Sequence, residues 1–257
     1  MSLLVILMGL CVGILVGLFG IGGGLVLVPA LALLLGMEQH MAQGTSLFIL
    51  LPPLGLGALA AYWKRGQVDL RAGILCALGM LLGSYAGSLI AMPIGSTKLK
   101  GAFGCFLMIS AVLLWRKTLL QSVVAGEKSA APASLWRQLA ILVVAAGCGI
   151  AAGLFGAGGG VLLVPALGLF FDFDQLHAQG TSLIALVPPT GALAVLSYWH
   201  AGNISWRVGL LLMPGIFLGG IAGSRLADVL HPRRMRQIFA AVILVLGAWQ
   251  AYSSWFS

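Results

Sequence analysis

Charge is what this chain has least of. Asp, Glu, Lys and Arg make up 8% of its 257 residues, six acids against fourteen bases, where a soluble domain carries about 25%. Such a chain cannot build a water-facing surface, so it reads as an integral membrane protein with no room for a soluble catalytic domain. Its apolar runs are too long for barrel strands and lack strict alternation, which leaves helices. Cys11, Cys76, Cys105 and Cys148 lie within apolar segments and form no Cys-x-x-Cys pair, which favours reduced packing residues over redox chemistry. The four histidines and six acids show no metal-ligand or nucleophile–base spacing, so no enzyme, metal or cofactor is expected. A basic stretch ahead of the first apolar run is missing, and the continuation of that run recurs downstream, so it reads as part of the fold and not as a signal peptide. The net charge of +8 does not call for nucleic acid, because most Lys and Arg flank apolar segments, as the positive-inside rule places them.

What is abundant is glycine, and it is patterned. Residues 17–29 read Gly-Leu-Phe-Gly-Ile-Gly-Gly-Gly-Leu-Val-Leu-Val-Pro, and residues 153–165 read Gly-Leu-Phe-Gly-Ala-Gly-Gly-Gly-Val-Leu-Leu-Val-Pro. The offset is constant: Gly20 maps to Gly156 (156 − 20 = 136), Ala42–Leu47 to the identical Ala178–Leu183, Pro52-Pro53 to Pro188-Pro189, Tyr62-Trp63 to Tyr198-Trp199 and Phe103 to Phe239. Shared hydrophobicity does not align polar residues without gaps, so the chain is an internal duplication. The first repeat spans 1–115, a polar linker 116–137, and the second repeat 138–257. Each repeat reads as a glycine-broken run (Leu3–Phe19 with Leu25–Leu35; Leu139–Phe155 with Val161–Phe171) followed by three segments. These are Thr45–Trp63, Ala72–Met92 and Leu99–Trp115, matched by Thr181–Trp199, Val208–Leu230 and Met235–Tyr252.

Basic residues decide between parallel and inverted repeats. If each broken run is a hairpin, one side of the membrane receives Lys64, Arg65, Arg71, Arg116, Lys117, Lys128, Arg137, Arg233, Arg234 and Arg236, and the other only Lys98, Lys100 and Arg207. A single crossing by each broken run gives a much more even split, which the positive-inside rule disfavours. Leu25–Leu35 also covers only about 16 Å as a helix, short of the roughly 30 Å hydrocarbon core. The expected fold is therefore an all-α polytopic membrane protein of two inverted-topology repeats, each a glycine-broken helical hairpin plus three helices. The half-helices meet near mid-membrane, the linker is cytoplasmic and both termini face outward.

Broken helices at membrane depth survive only where protein buries the open backbone or where it lines a wet cavity. Paired breaks at matching positions of two repeats are the sequence pointer to a transporter's binding site. Gly20, Gly22, Gly23 and Gly24, with Gly156, Gly158, Gly159 and Gly160, are thus candidate substrate-binding residues. Their backbone N–H groups would face an anion at the start of two half-helices. Close packing of helices through small residues is the competing account. Gln43, Gly44, Thr45 and Ser46, with Gln179, Gly180, Thr181 and Ser182, are candidate hydrogen-bond donors to an oxyanion, or else helix N-caps. The double prolines must kink or break their segments. Tyr62-Trp63 and Tyr198-Trp199 read as interfacial belt residues. Arg225, with Asp228 three residues on, fits a snorkelling ion pair better than a substrate contact. The acids Glu38, Asp69, Glu127, Asp172, Asp174 and Asp228 all fall away from segment middles. His40 and His177 flank the Gln-Gly-Thr-Ser motifs and are the candidates for a titrating group.

The duplicated Gly-x-Phe-Gly-x-Gly-Gly-Gly…Pro and Gly-Thr-Ser-Leu…Pro patterns resemble the TauE/SafE family, also called the sulfite exporter or toluene-sulfonate uptake permease family. The resemblance covers roughly Leu3–Tyr252 apart from the linker. It implies a multi-pass permease of the bacterial or archaeal inner membrane, exporting sulfur-containing anions such as sulfite or organosulfonates. It also implies that Gly20–Gly24, Gln43–Ser46 and their second copies form the site; no family rule assigns Arg225. The expected function is an alternating-access carrier of a small anion, with membrane lipid as its surroundings and no nucleic-acid partner. An anion channel on the same scaffold and a permease for a non-sulfur organic anion are the alternatives. The oligomeric state is open, a homodimer included.

The topology is testable in a variant lacking the four native cysteines. Ser129→Cys should react only with thiol reagent that reaches the cytoplasm, and Ser257→Cys with reagent added outside. Labelling of both from one side would exclude inverted repeats.

Overall fold

The computed structural model describes residues 2–19, 24–51, 56–120, 135–186, 191–227 and 232–255. Every described element is helical. The first repeat supplies α1 (Ser2–Phe19), α2 (Gly24–Leu34), α3 (Gln39–Ile49), α4 (Leu56–Lys64), α5 (Leu70–Ala91) and α6 (Ser96–Leu120). The second supplies α7 (Leu135–Phe155), α8 (Gly160–Phe171), α9 (Gln175–Leu186), α10 (Ala192–His200), α11 (Trp206–Ala227) and α12 (Pro232–Trp255). Leu70–Ala91, Leu135–Phe155, Trp206–Gly223 and Gln237–Trp255 are each long and apolar enough to cross a bilayer. Leu78, Leu82, Leu89, Leu210, Phe217, Val245 and Trp249 are exposed on these helices. An apolar exterior of this kind belongs in lipid. The protein is an all-α polytopic membrane protein.

The glycine-broken runs divide as the sequence indicates, into α1 with α2 and α7 with α8. Of the kink or break expected within Thr45–Trp63, a break occurs: two short helices, α3 and α4, stand where one segment was expected, and α9 and α10 repeat the arrangement. Pro52-Pro53 and Pro188-Pro189 lie between these pairs, outside the described residues. The helices also start earlier than expected. Glu38 is the N-cap of α3, and the Asp174 carboxylate accepts the His177 amide at 2.8 Å in the first turn of α9. Thr45, Ser46, Thr181 and Ser182 are therefore interior helix residues and cap nothing. Both short second helices of the broken runs end alike. Gly36 (φ 63°) and Asp172 (φ 57°) adopt the left-handed conformation, and Met37 and Phe173 donate to the carbonyls of Leu31 and Leu167, the closing bond of a Schellman cap. At the other end of the repeat, α6 runs on to Leu120, so it takes in the first residues of the expected linker; the central 121–134 lie outside the described residues.

The repeats are held together by exchanged contacts. α1 packs on α11, and α7 packs on α5, the same pair with the repeats interchanged. A Cβ at Gly9 would lie 2.7 Å from the Leu212 carbonyl oxygen, and one at Gly13 2.7 Å from the Ile216 Cα, so α1 and α11 run in the same direction. In the second pair Gly79 meets Leu142, Gly83 meets Ala146 and Gly87 meets Ile150, again in parallel. α6 and α12 pack on each other in the opposite sense, Gly101 facing Ser254, Gly104 facing Ala251, and Gly247 facing Leu107. Glycine stripes bring the backbones close, which is how helices associate where lipid removes the hydrophobic drive. Packing through small residues is thus present, chiefly along α1, α5, α7 and α11.

Two glycines of this group separate packing from helix propensity by sign. Gly83 abuts the Ala146 carbonyl, while a Cβ at Gly147 would meet no atom within 4 Å. Gly83→Ala should lower stability by about 1–3 kcal/mol through overpacking, and Gly147→Ala should raise it by about 0.5–1 kcal/mol. Melting temperatures in detergent check both directions.

Candidate functional site

The site begins at the second glycine turn. Gly156 (φ 67°) and Gly158 (φ 62°) are left-handed, a conformation that a β-branched residue cannot adopt without strain. The turn follows α7 and opens α8, whose N-cap is Gly159. Leu162 donates to the Gly159 carbonyl at 3.3 Å; the N–H groups ahead of it open the helix without i−4 acceptors and carry the positive end of the helix dipole. In the first repeat, Gly20, Gly22 and Gly23 lie outside the described residues. Gly24, the first residue of α2, packs on the Ala157 peptide. The N-terminus of one half-helix thus meets the turn that opens the other.

The Gln-Gly-Thr-Ser motif of the first repeat closes over that turn. A Cβ at Gly156 would lie 2.7 Å from the Gln43 Cα, and the Ser46 hydroxyl donates to the Gly156 carbonyl at 3.0 Å. The Tyr198 hydroxyl reaches two acceptors, Gln43 Oε1 and the Gly153 carbonyl, each at 3.1 Å. Tyr198, Gln43, Thr45 and Ser46 are fully enclosed. Gln43 Nε2 has no hydrogen-bond partner among the described residues. Gly44 is a glycine because the Asn203 carbonyl and the Tyr198 side chain press on it. Thr45 Oγ1 accepts the Ser205 amide at 3.0 Å.

The second motif repeats this clasp with the partners interchanged. Tyr62 donates to Gln179 Oε1 at 2.9 Å, Gly180 packs on the Gln67 carbonyl and Tyr62, and Thr181 Oγ1 accepts the Asp69 amide at 3.0 Å. Ser182 donates to its own Gln179 carbonyl at 2.8 Å. The structure brings Gly24, Gln43, Ser46 and Gly156 together directly, and Gly158 touches Leu50 beside them. Gly159 packs on Met80 and Gly160 on Leu186. Thr45 and Thr181 hold the loops that lead into α11 and α5.

Tyr62 and Tyr198 are what the sequence reading missed. Tyr198 is buried, and both hydroxyls bond the motif glutamines, while Trp63 and Trp199 remain about half exposed, as belt residues are. The duplication of a tyrosine at a fixed distance from a duplicated glutamine was the available signal. His40 is buried between the Ser96 hydroxyl at 2.9 Å and the Ala91 carbonyl at 3.0 Å. The carbonyl can only accept, so Nε2 carries a proton there. His177 pairs with Asp174 at 2.8 Å. Burial opposes ionisation of Asp174, but the His177 amide and imidazole outweigh it and hold the carboxyl below its ordinary range. Glu38, Asp69, Asp172 and Asp174 are exposed near helix ends; Glu127 and Asp228 lie outside the described residues. Arg225 falls in the last turn of α11, and its side chain lies outside them too. The four cysteines are free, and no group of three metal-ligating side chains occurs among the described residues.

The chain that carries these duplicated half-helices matches the family model for the sulfite exporter TauE/SafE over residues 5–249. The chain belongs to the TauE/SafE family. It is 29% identical to "Probable membrane transporter protein YunE" of Bacillus subtilis, an alignment that covers 99% of this chain and 98% of that protein. A "Probable membrane transporter protein" of Xylella fastidiosa is also 29% identical, over 96% of this chain and 93% of its own. A third, from Methanocaldococcus jannaschii, is 26% identical over 95% and 93%. No solved structure matches. TauE/SafE membership makes this protein a membrane transporter.

The two tyrosines should behave as a pair. Tyr198→Phe strips a buried glutamine and a buried carbonyl of a donor and should cost about 1–3 kcal/mol. Tyr62→Phe should cost less, because Tyr62 is only part-buried. Thermal unfolding of the two variants in detergent tests the order.

Proposed function

We propose that this protein is an alternating-access carrier, working as an exporter in the inner membrane, of small sulfur-containing oxyanions such as sulfite or organosulfonates. The anion sits beside the point where the two half-helix N-termini meet. The observation that carries this reading is the meeting of Gly24 with the Ala157 peptide, beside a Gln43 amide nitrogen that has no partner. Open N–H groups and an unsatisfied amide are all donors, and an oxyanion is all acceptor. The family description, sulfite exporter, supports the sulfur oxyanion and the outward direction. Inverted repeats are supported by the opposed packing of α6 and α12, which occupy equivalent places in the two repeats. Under that inversion, exchanging the two clasps exchanges the two faces of the membrane. This is how one site opens to each side in turn.

Purified protein should gain thermal stability from sulfite, sulfoacetate or taurine and not from chloride at equal ionic strength, and flux into proteoliposomes should saturate. Flux that never saturates would mean a channel, and stabilisation only by carboxylates would mean a non-sulfur permease. Gly158→Val should abolish transport, because the φ of 62° excludes a β-branched residue.

A further inference from the structure

Buried amides are costly in lipid surroundings unless something bonds them. Among the described residues, Gln39 has neither side-chain polar atom bonded, and Gln250 likewise; Gln43 lacks a partner for Nε2. All three are enclosed: Gln39 is 3% exposed, Gln43 and Gln250 0%. Gln39 and Gln43 are one helical turn apart on a single face of α3.

Their places follow from what packs on α6. His40, next to Gln39, bonds Ser96 at the start of α6. Gly104 faces Ala251 and Gly247 faces Leu107, which puts Gln250 near the third turn of α6, level with Phe106. Phe155, immediately before the glycine turn, stacks on Phe106 at 4.6 Å and lies 5.7 Å from Phe103. Gln39 therefore lies near the start of α6, and Gln43 and Gln250 lie near the level of the turn. The repeat equivalent of Gln250 is Leu114, so the matching place in the other repeat lacks this amide.

We propose that Gln39, Gln43 and Gln250 form an uncharged track along which the anion passes between the glycine turns and the end of the bundle at which α6 begins. This rests on the oxyanion-carrier reading and adds Gln39 and Gln250 to it. Amide N–H groups hold an anion by dipole alone. They replace part of its hydration without the deep trap a lysine or arginine would create. The free Oε1 atoms of Gln39 and Gln250 suit the water that accompanies the ion. A dry core would gain nothing from three unsatisfied amides, since apolar side chains of equal volume would be more stable there.

Accessibility decides the matter without knowledge of the substrate. In the cysteine-free protein, Gln39→Cys and Gln250→Cys should react with anionic sulfonatoethyl methanethiosulfonate faster than with the cationic trimethylammonioethyl reagent. The ratio should be about tenfold or more, the lower end of what charge-selective clefts give. No reaction with either reagent, or equal rates, would overturn the track; equal rates would indicate a merely wet cavity. A second arm uses Gln39→Met. A raised melting temperature with reduced flux of labelled sulfite supports the track, and a raised melting temperature with wild-type flux overturns it. If wild-type protein carries no sulfite or organosulfonate, the sulfur-anion reading fails, and the labelling ratio still decides the track.

Discussion

A helix cut open inside a membrane exposes N–H groups that lipid cannot satisfy, and the rest of this structure is arranged around closing that wound. The turn at Gly156–Gly160 is covered by α3 of the opposite repeat, with Gln43 and Ser46 laid against Gly156. α3 can lie there only because Gly44 lets the loop at Asn203 approach from behind. That loop is in turn pinned by the Thr45 hydroxyl. Each layer exists to hold the one inside it, and each holder comes from the other half of the chain.

Much of this was legible from residue order. The repeat, its offset and the breaks in the apolar runs all follow from where glycine, proline and polar residues recur, and those positions are local facts. The helical membrane class follows from composition. Where the reading went astray, the cause was contact across the repeats. Thr45 and Thr181 read as segment starts because a hydroxyl residue opening an apolar run is an ordinary N-cap, which left Gly44 and Gly180 outside the helices. Both glycines sit inside helices because a backbone carbonyl of the other half takes up the space of a side chain. Tyr198 looked interfacial because it stands next to a tryptophan near a segment end. Its burial depends on Gln43, 155 residues away, and no sequence period encodes that. Gln39 and Gln250 carried no pattern at all, since an unsatisfied amide becomes visible only when its surroundings are known.

The two repeats are alike in fold and unlike in detail. Ser46 reaches across to the other repeat's turn, whereas Ser182 bonds within its own helix. α2 and α3 contribute to the same apolar core as α6 and α12, while α8 and α9 share a core with α5 and α7. One sequence motif therefore occupies two settings in a single molecule. The clasps of Tyr62 on Gln179 and Tyr198 on Gln43 are the part that both settings share.

The pairing of α1 with α11 also bears on how the molecule is made. Gly9 meets Leu212, a separation of 203 residues (212 − 9). At about 5–20 residues per second, the first helix waits roughly 10–40 s for its neighbour to be synthesised. During that time its glycine-lined groove faces lipid or the insertion machinery with nothing to fill it. The early helices therefore cannot settle as they emerge. The first half of the nascent chain is a partly assembled bundle, at risk of pairing with the wrong helix or with a neighbouring chain, until the eleventh helix arrives.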